Sequence, residues 1–383
     1  RPVVSLVARQ PHGALLAAAS AVAVAISVPI FHRFSSTPPS ALGSSDFRTH
    51  LDRVAVTTIV PFSPGTPYPM YHVAVKLLSA ILDVAWASTV VLSIAAVLTV
   101  LALDWWCRQP FAGRSPLPDW VGPSFAVAYF LAESPNVLAQ ALHFGNPFDW
   151  APTLHMYLNP TDPMGFPFAL VQLVLVARVL AAPTVPSRRD GLLVLAVTVL
   201  SPLAKPSLLV PLLVVAPAYV VLTRSLSRAR VWFLTWSFLV PSLAVFAWQT
   251  WFLSTGDNGI GRSTFGIDPL HTIRMAQLDR SGPLLLAGFL VVPLCLWAAP
   301  RRFLAEPTVR LSGLLMLVSV AMLFLLTDTG RRTQDATFTK PAYVSGALLL
   351  VVCWRFLLGE VFAGERPTGR WTAWRPSAAV FAL

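Results

Sequence analysis

Long apolar runs recur along the whole of this 383-residue chain and constrain its fold more than any other feature. Each run has about 17–23 residues, the length that an α-helix needs to cross about 30 Å of hydrocarbon. Hydrophobic residues make up 55% of the chain and charged residues only 12%. Because every backbone polar group must be paired inside a bilayer, such runs form helices. The sequence therefore predicts an all-α, polytopic integral membrane protein with a single transmembrane domain over residues 1–383.

About ten transmembrane helices are predicted from these runs. The predicted spans are residues 13–31, 84–103, 121–143, 164–182, 191–204, 207–223, 231–253, 283–299, 311–326 and 341–358. Only Lys205 and Pro206 separate the fifth and sixth runs. Residues 191–223 therefore form either two full spans or a helical hairpin that does not cross completely.

Basic residues indicate the orientation, because short cytoplasmic loops carry an excess of lysine and arginine. If the N-terminus is cytoplasmic, the short arginine-containing loops are cytoplasmic as well. Because the number of predicted spans is even, the C-terminus then lies on the same side. The longer connections then face outward, at 32–83, 144–163, 254–282 and 327–340. This topology and the anionic lipid headgroups account for the formal net charge of +11. We expect no nucleic-acid partner.

Within the first outward loop, a polar segment begins at Asp46. In a helix, residues four apart face one another, so Asp46 lies beside His50 and Arg48 beside Asp52. Asp46 has two interpretations. It is either the N-cap of an interfacial helix, or a general base poised by His50 and by partial burial against the membrane.

Other polar and aromatic residues on the predicted outward side are candidates for a substrate pocket. Proline-rich segment 62–72 is either the wall of a sugar pocket or a connection between helices. Glu133 is the one acidic residue well inside a predicted span, and it is either a pocket residue or half of a structural ion pair. The pocket candidates are Tyr68, His72, Glu133, Asn146, Asp149, His155 and Asn159.

Four cations on the same side are candidates for binding a phosphate group. Lys205, one of only three lysines, lies between two apolar runs, where an unpaired charge is costly to bury. Arg331 and Arg332 depart from the positive-inside trend, and guanidinium groups bind phosphate through paired hydrogen bonds. Lys340 directly precedes Pro341, the first residue of the last predicted span. The alternative to phosphate binding by Lys205 is that its side chain extends along the apolar surface so that the ammonium group reaches the membrane interface.

This arrangement resembles the multi-spanning GT-C glycosyltransferases. The resemblance consists of one span, an early acidic residue in a long outward loop, interfacial helices, and Tyr68 and His72 before further spans. Segments 157–161 and 203–207 are also similar to stretches of bacterial membrane proteins of this type. The resemblance implies that Asp46 is the catalytic base, with His50 orienting it or the acceptor.

A GT-C enzyme moves a sugar from a polyprenyl-phosphate or polyprenyl-diphosphate donor on the non-cytoplasmic face. The resemblance therefore implies a lipid-linked sugar donor, a cell-envelope glycan or lipid acceptor, and a place in polysaccharide biosynthesis at a bacterial plasma membrane. Single displacement by one base implies inversion of the anomeric centre.

The sequence indicates no cofactor. Asp46 and His50 offer two metal ligands without a third, and no Asp-X-Asp pair stands near Asp46, so a divalent cation is an option that the sequence does not indicate. Nucleotide sugars are not expected, since the chain has no glycine-rich phosphate loop. Two other functions stay open at this stage: a transporter or flippase for a lipid-linked or small polar substrate, and a non-catalytic membrane assembly partner.

Overall fold

The structure is a computed structural model of the chain. It describes residues 12–36, 47–59, 66–111, 116–141, 159–181, 186–223, 227–255, 263–269, 301–330 and 339–362. The described chain is mostly helical, as predicted. Asp46, Asn146, Asp149, His155, Arg331 and Arg332 lie outside these ranges, and the helix that contains Glu133 is described there without its side chain.

Helices account for nearly all of the regular structure. They are α1 (His12–Ser36), α2 (Phe47–Val56), α3 (Met70–Leu78), α4 (Val84–Cys107), α5 (Val121–Ala141), α6 (Thr161–Ala181), α7 (Arg188–Ala204), α8 (Leu209–Thr223), α9 (Arg228–Leu234), α10 (Val240–Thr255), α11 (Arg301–Ala305), α12 (Pro307–Leu325) and α13 (Thr339–Phe362). A 3₁₀ turn (Pro206–Leu208) precedes α8, and a π-helical turn (Thr235–Leu239) joins α9 to α10.

Six helices in the described ranges are long and apolar enough to cross a membrane, or up to seven if a bent pair counts as one span. The six are His12–Ser36, Val84–Cys107, Thr161–Ala181, Arg228–Ser254, Pro307–Leu325 and Lys340–Gly359. The bent pair joins Arg188–Ala204 to Pro206–Val221 at 112°. Helix α5 (Val121–Ala141) covers most of predicted span 121–143, and its part with described side chains, Val121–Leu131, is apolar. Predicted span 283–299 falls outside the described residues. The number ten therefore stays a prediction.

A short β-ribbon was not anticipated from the sequence. Strand β1 (Ser263–Ile267) pairs antiparallel with strand β2 (Leu326–Gly330), with the backbone of Phe265 in register with that of Asp328. Strand β1 lies in a predicted loop, and β2 begins at the last residue of predicted span 311–326 and continues into the predicted loop after it. The pairing joins residues far apart in the chain, and neither five-residue segment has an apolar/polar alternation that predicts a strand on its own.

Contacts at both ends of the first two long helices show that they run antiparallel. The hydroxyl groups of Ser35 and Ser88 lie 2.9 Å apart at one end. At the other end, His12 Nε2 lies 3.3 Å from Asp104 Oδ2. Helix α4 packs against α1, α5 and α6, while α12 packs against α6, α8 and α13. Together these helices form the buried core.

Basic groups converge at the end of the bundle where Asp104 lies, which we call the arginine end and define by Arg108, Arg178 and Arg355. Arg108 donates toward the buried carboxylate of Asp104 at 2.8 Å. Arg355 is fully buried and donates from Nη2 to the carbonyl oxygen of Gln109 at 2.9 Å. Gln109 Oε1 accepts from Arg178 at 3.3 Å. These contacts tie α4, α6 and α13 together.

Two short helices, α2 and α3, cover the opposite end of the bundle. Helix α2 is amphipathic: Phe47, His50, Leu51 and Val54 are buried, a spacing that defines one helical face. The exposed side carries Arg48 and Asp52, which form the expected four-apart pair at 3.1 Å. The ring of Phe47 packs on Phe31 and Phe34 near the end of α1. This packing seats α2 on the bundle.

Candidate functional site

Lys205 lies at the corner between α7 and the 3₁₀ turn. The following Pro206 disfavours helical geometry at Lys205, whose backbone is extended, with φ −158° and ψ 120°. Helix α7 therefore ends there and the chain bends sharply into α8. The lysine side chain turns into the protein and is only 9% exposed.

The ammonium group of Lys205 contacts the start of α6. Lys205 Nζ donates to Thr161 Oγ1 at 2.7 Å and lies 3.1 Å from Asp162 Oδ1. Asn159 Oδ1 accepts hydrogen bonds from the Thr161 backbone N–H at 2.9 Å and from its hydroxyl at 2.6 Å. The Thr161 hydroxyl thus accepts from the lysine and donates to the amide oxygen, an arrangement that fixes its direction.

Asp162 brings a second lysine into the same group. Its Oδ2 atom lies 3.8 Å from Lys340 Nζ at the start of α13, and its side chain is 5% exposed. The Oδ1 atom is buried and has no aligned hydrogen bond, although it is within ion-pair distance of Lys205. We name Lys205, Lys340 and Asp162 the lysine cluster, and the end of the bundle that contains it the lysine end.

A buried pair of histidines lies at the same end. His50 Nδ1 is 3.0 Å from His72 Nε2, and Thr66 Oγ1 is 3.2 Å from His72 Nδ1. Burial is the main cause that lowers the pKa of His72 to about 3. Burial also lowers the pKa of His50 well below its usual value, and a proton on His72 and the charge of Lys205 each act in the same direction. Both imidazoles are therefore neutral near pH 7, so one ring donates to the other.

Tyr68 connects the histidine pair with the lysine cluster. Its ring centre is 5.6 Å from Lys205 Nζ, a cation–π distance. The same ring centre is 6.2 Å from the ring centres of both His50 and His72. Buried Gln249 holds this segment in place by donating to the carbonyl oxygens of the neighbouring Pro67 at 2.8 Å and of a proline in α7 at 3.0 Å. The histidine pair and the lysine cluster are therefore adjacent, with Tyr68 between them.

The structure brings together six of the residues that the sequence predicted for a site. They are His50, Tyr68, His72, Asn159, Lys205 and Lys340. Sequence reasoning missed Thr161 and Asp162, which link the two lysines to Asn159. The available signal was an aspartate just before predicted span 164–182, two residues after a proline. Among the described residues, no group of three or more histidine, cysteine, aspartate or glutamate side chains is arranged to hold a metal ion.

The arrangement is suited to recognising an anion beside a polar, aromatic surface. Two ammonium groups share one carboxylate, so the lysine cluster carries an excess of positive charge in a largely buried position. The Tyr68 hydroxyl can form hydrogen bonds with sugar hydroxyl groups, whereas both ring nitrogens of buried His72 are already paired with His50 and Thr66. Comparisons of the chain with protein-family models, curated proteins and solved structures found no match.

Proposed function

We propose that this chain is a membrane glycosyltransferase of GT-C type that transfers a sugar from a polyprenyl-phosphate donor to a cell-envelope glycan or lipid. Transfer would occur on the non-cytoplasmic face. The observation that supports the proposal is the contact of Lys205 with both Asp162 and Tyr68, which joins a cationic cluster to the His50–His72 pair at one end of an apolar bundle.

The donor phosphate would bind Lys205 and Lys340. A lipid phosphate lies at the interface, where the apolar chain remains in hydrocarbon and the charged group meets polar residues. Both lysines lie at ends of apolar helices, where the proposal locates the membrane interface. In the proposal, Arg331 and Arg332 add further hydrogen bonds to the phosphate.

Asp46 is the proposed base, and it directly precedes α2, whose His50 belongs to the site. Asp46 removes the proton from an acceptor hydroxyl, and the oxygen forms a bond to the anomeric carbon of the donor sugar. The bond from that carbon to the phosphate oxygen breaks, and polyprenyl phosphate leaves with the electron pair. The two lysines stabilise the charge that develops on the phosphate. One displacement inverts the anomeric centre.

The remaining polar candidates form the proposed sugar and acceptor pocket. In the proposal, Tyr68 offers an aromatic face and a hydroxyl group beside Lys205, and buried His72 supports the Tyr68 ring from within the pocket wall. Asn159 holds Thr161 and so orients the hydroxyl group that contacts the lysine. Glu133, Asn146, Asp149 and His155 are proposed as further pocket residues.

The three lysines of the chain provide a matched test. Lys205→Gln should reduce transfer of a radiolabelled sugar from polyprenyl-phosphate donors by at least about tenfold, since it removes one charge that stabilises the leaving phosphate. Lys76→Gln is the control, because Lys76 lies on α3 and donates only weakly, at 3.4 Å, to a carbonyl oxygen. Equal transfer by both variants at equal folded yield would contradict the proposed role of the lysine cluster. Donor binding without transfer to any envelope acceptor would favour a flippase.

A further inference from the structure

The charge of the lysine cluster is set by one buried carboxylate. Asp162 contacts both Lys205 and Lys340, so the three groups together carry a single excess positive charge. The adjacent histidines are neutral near pH 7. Arg53 also acts electrostatically on the histidines. Buried charges are costly unless they are balanced, so the ligand's charge matters here.

Asp162 is held in place independently of a ligand. It lies in the first turn of α6, where its backbone N–H donates to the carbonyl oxygen of Asn159 at 3.1 Å. Neighbouring Thr161 is fixed by Asn159 and by Lys205. The carboxylate is 5% exposed, and its Oδ1 atom lacks an aligned hydrogen bond. A ligand phosphate that contacts the lysines therefore meets Asp162 at close range.

We infer that Asp162 makes this site select a donor with one phosphate over a donor with a diphosphate. This inference rests on the proposed function. A sugar linked through one phosphate is a diester with a single negative charge. A diphosphate link adds a second negative charge, which Asp162 repels from its fixed position between the two lysines. Asp162 is thus a specificity-determining residue.

Two sugar-free probes isolate this effect from sugar identity. Farnesyl methyl phosphate is a diester with one charge, and P1-farnesyl-P2-methyl diphosphate differs from it only by an added phosphate. Binding of both to the full-length protein in lipid nanodiscs is measured by calorimetry. We expect the wild-type protein to bind the monophosphate about tenfold more tightly or better.

Asp162→Asn should increase the relative affinity for the diphosphate by about tenfold, because the repelling charge is gone while the side-chain shape is kept. Asp162→Glu, which keeps the charge, should retain the wild-type preference. If Asp162→Asn does not fold, Lys340→Gln decides the question. Lys340 is 28% exposed and is the more weakly held lysine, and its loss should weaken diphosphate binding more than monophosphate binding.

The outcomes separate the inference from the proposed function. The inference alone would be overturned if both probes bind and Asp162→Asn, or Lys340→Gln in its place, prefers the monophosphate over the diphosphate as strongly as the wild-type protein does. Tighter binding of the diphosphate by the wild-type protein would also overturn it. Binding of neither probe by the wild-type protein would overturn the proposed function and the inference together.

Discussion

Gly165 and Lys205 approach so closely that no side chain fits between them. A Cβ atom added at position 165 would lie 2.5 Å from the Cβ atom of Lys205 and 3.6 Å from its Cα atom. The Cβ atom of Lys205 is fixed by its backbone and cannot swing away. This close approach of α6 to the end of α7 sets the position from which Lys205 reaches Thr161 and Asp162.

Gly165→Ala should therefore displace Lys205. We expect a loss of about 1–3 kcal/mol in stability from overpacking and weaker binding of farnesyl methyl phosphate. Gly13→Ala is the control, because a Cβ atom there meets nothing within 4 Å. Thermal unfolding and calorimetric binding measure the two effects. Unchanged binding in Gly165→Ala would show that Lys205 is not held by this contact.

The buried histidine pair predicts a loss of stability in mild acid. The folded protein keeps His72 neutral down to about pH 3, whereas an unfolded histidine takes up a proton below about pH 6.5. Since the unfolded state then binds more protons, stability falls as the pH decreases through 6.5. Between pH 6.5 and pH 5 the cost is roughly 2 kcal/mol for each histidine that stays neutral.

Thermal unfolding at pH 7.5 and at pH 5.0 tests this pH dependence. His50→Gln removes one of the two histidines and should reduce the difference in Tm between the two pH values by about half. His32→Gln is the control, because His32 stacks on Trp86 at 4.0 Å and is not part of the pair. An equal pH dependence in the wild-type protein and in His50→Gln would contradict the role of burial.

Gln249 is predicted to hold the segment that contains Tyr68. Its amide group donates to the buried carbonyl oxygens of Pro67 and Pro202. Gln249→Leu keeps the side-chain size but leaves both carbonyl groups without this donor, which should cost about 1–3 kcal/mol. Sugar transfer should fall as well, because Tyr68 follows Pro67 directly. Ser254→Ala, at an exposed site on the same helix, should change neither Tm nor transfer.

The stereochemistry of the product tests the single-displacement mechanism. One base and one displacement predict that the anomeric configuration of the transferred sugar is inverted. Nuclear magnetic resonance of the product, compared with the donor, determines the configuration directly. Retention would indicate two displacements and a nucleophilic residue that becomes bonded to the sugar.

Much of the helical architecture was predictable, because apolar runs long enough to cross a bilayer have few other ways to pair their backbone groups. Lys205 and Pro206 likewise marked the bend, since proline after lysine ends a helix for local steric reasons. The helix pair was left open as two spans or a hairpin, and the structure bends it at 112°. Local chemistry was sufficient for these features.

Long-range contacts were not predictable in the same way. Asp162 has neither a motif nor a nearby basic residue in the sequence, and its role depends on Lys205 and Lys340, which come from other helices. Arg355 is buried inside α13 and donates to Gln109, which no local pattern indicated. Such residues acquire their function from packing, and a single sequence does not report which helices are neighbours.

Sugar transfer by Asp46→Asn most directly tests whether Asp46 is the base in transfer from a lipid phosphate. Asp52→Asn is the control, since Asp52 is 63% exposed and pairs with Arg48 on the surface of α2. We predict that Asp46→Asn loses about 100-fold or more of the transfer of radiolabelled sugar from polyprenyl-phosphate donors, while Asp52→Asn retains it. Wild-type transfer by Asp46→Asn at equal folded yield, or no transfer by the wild-type protein with a validated panel of donors and acceptors, would contradict this prediction.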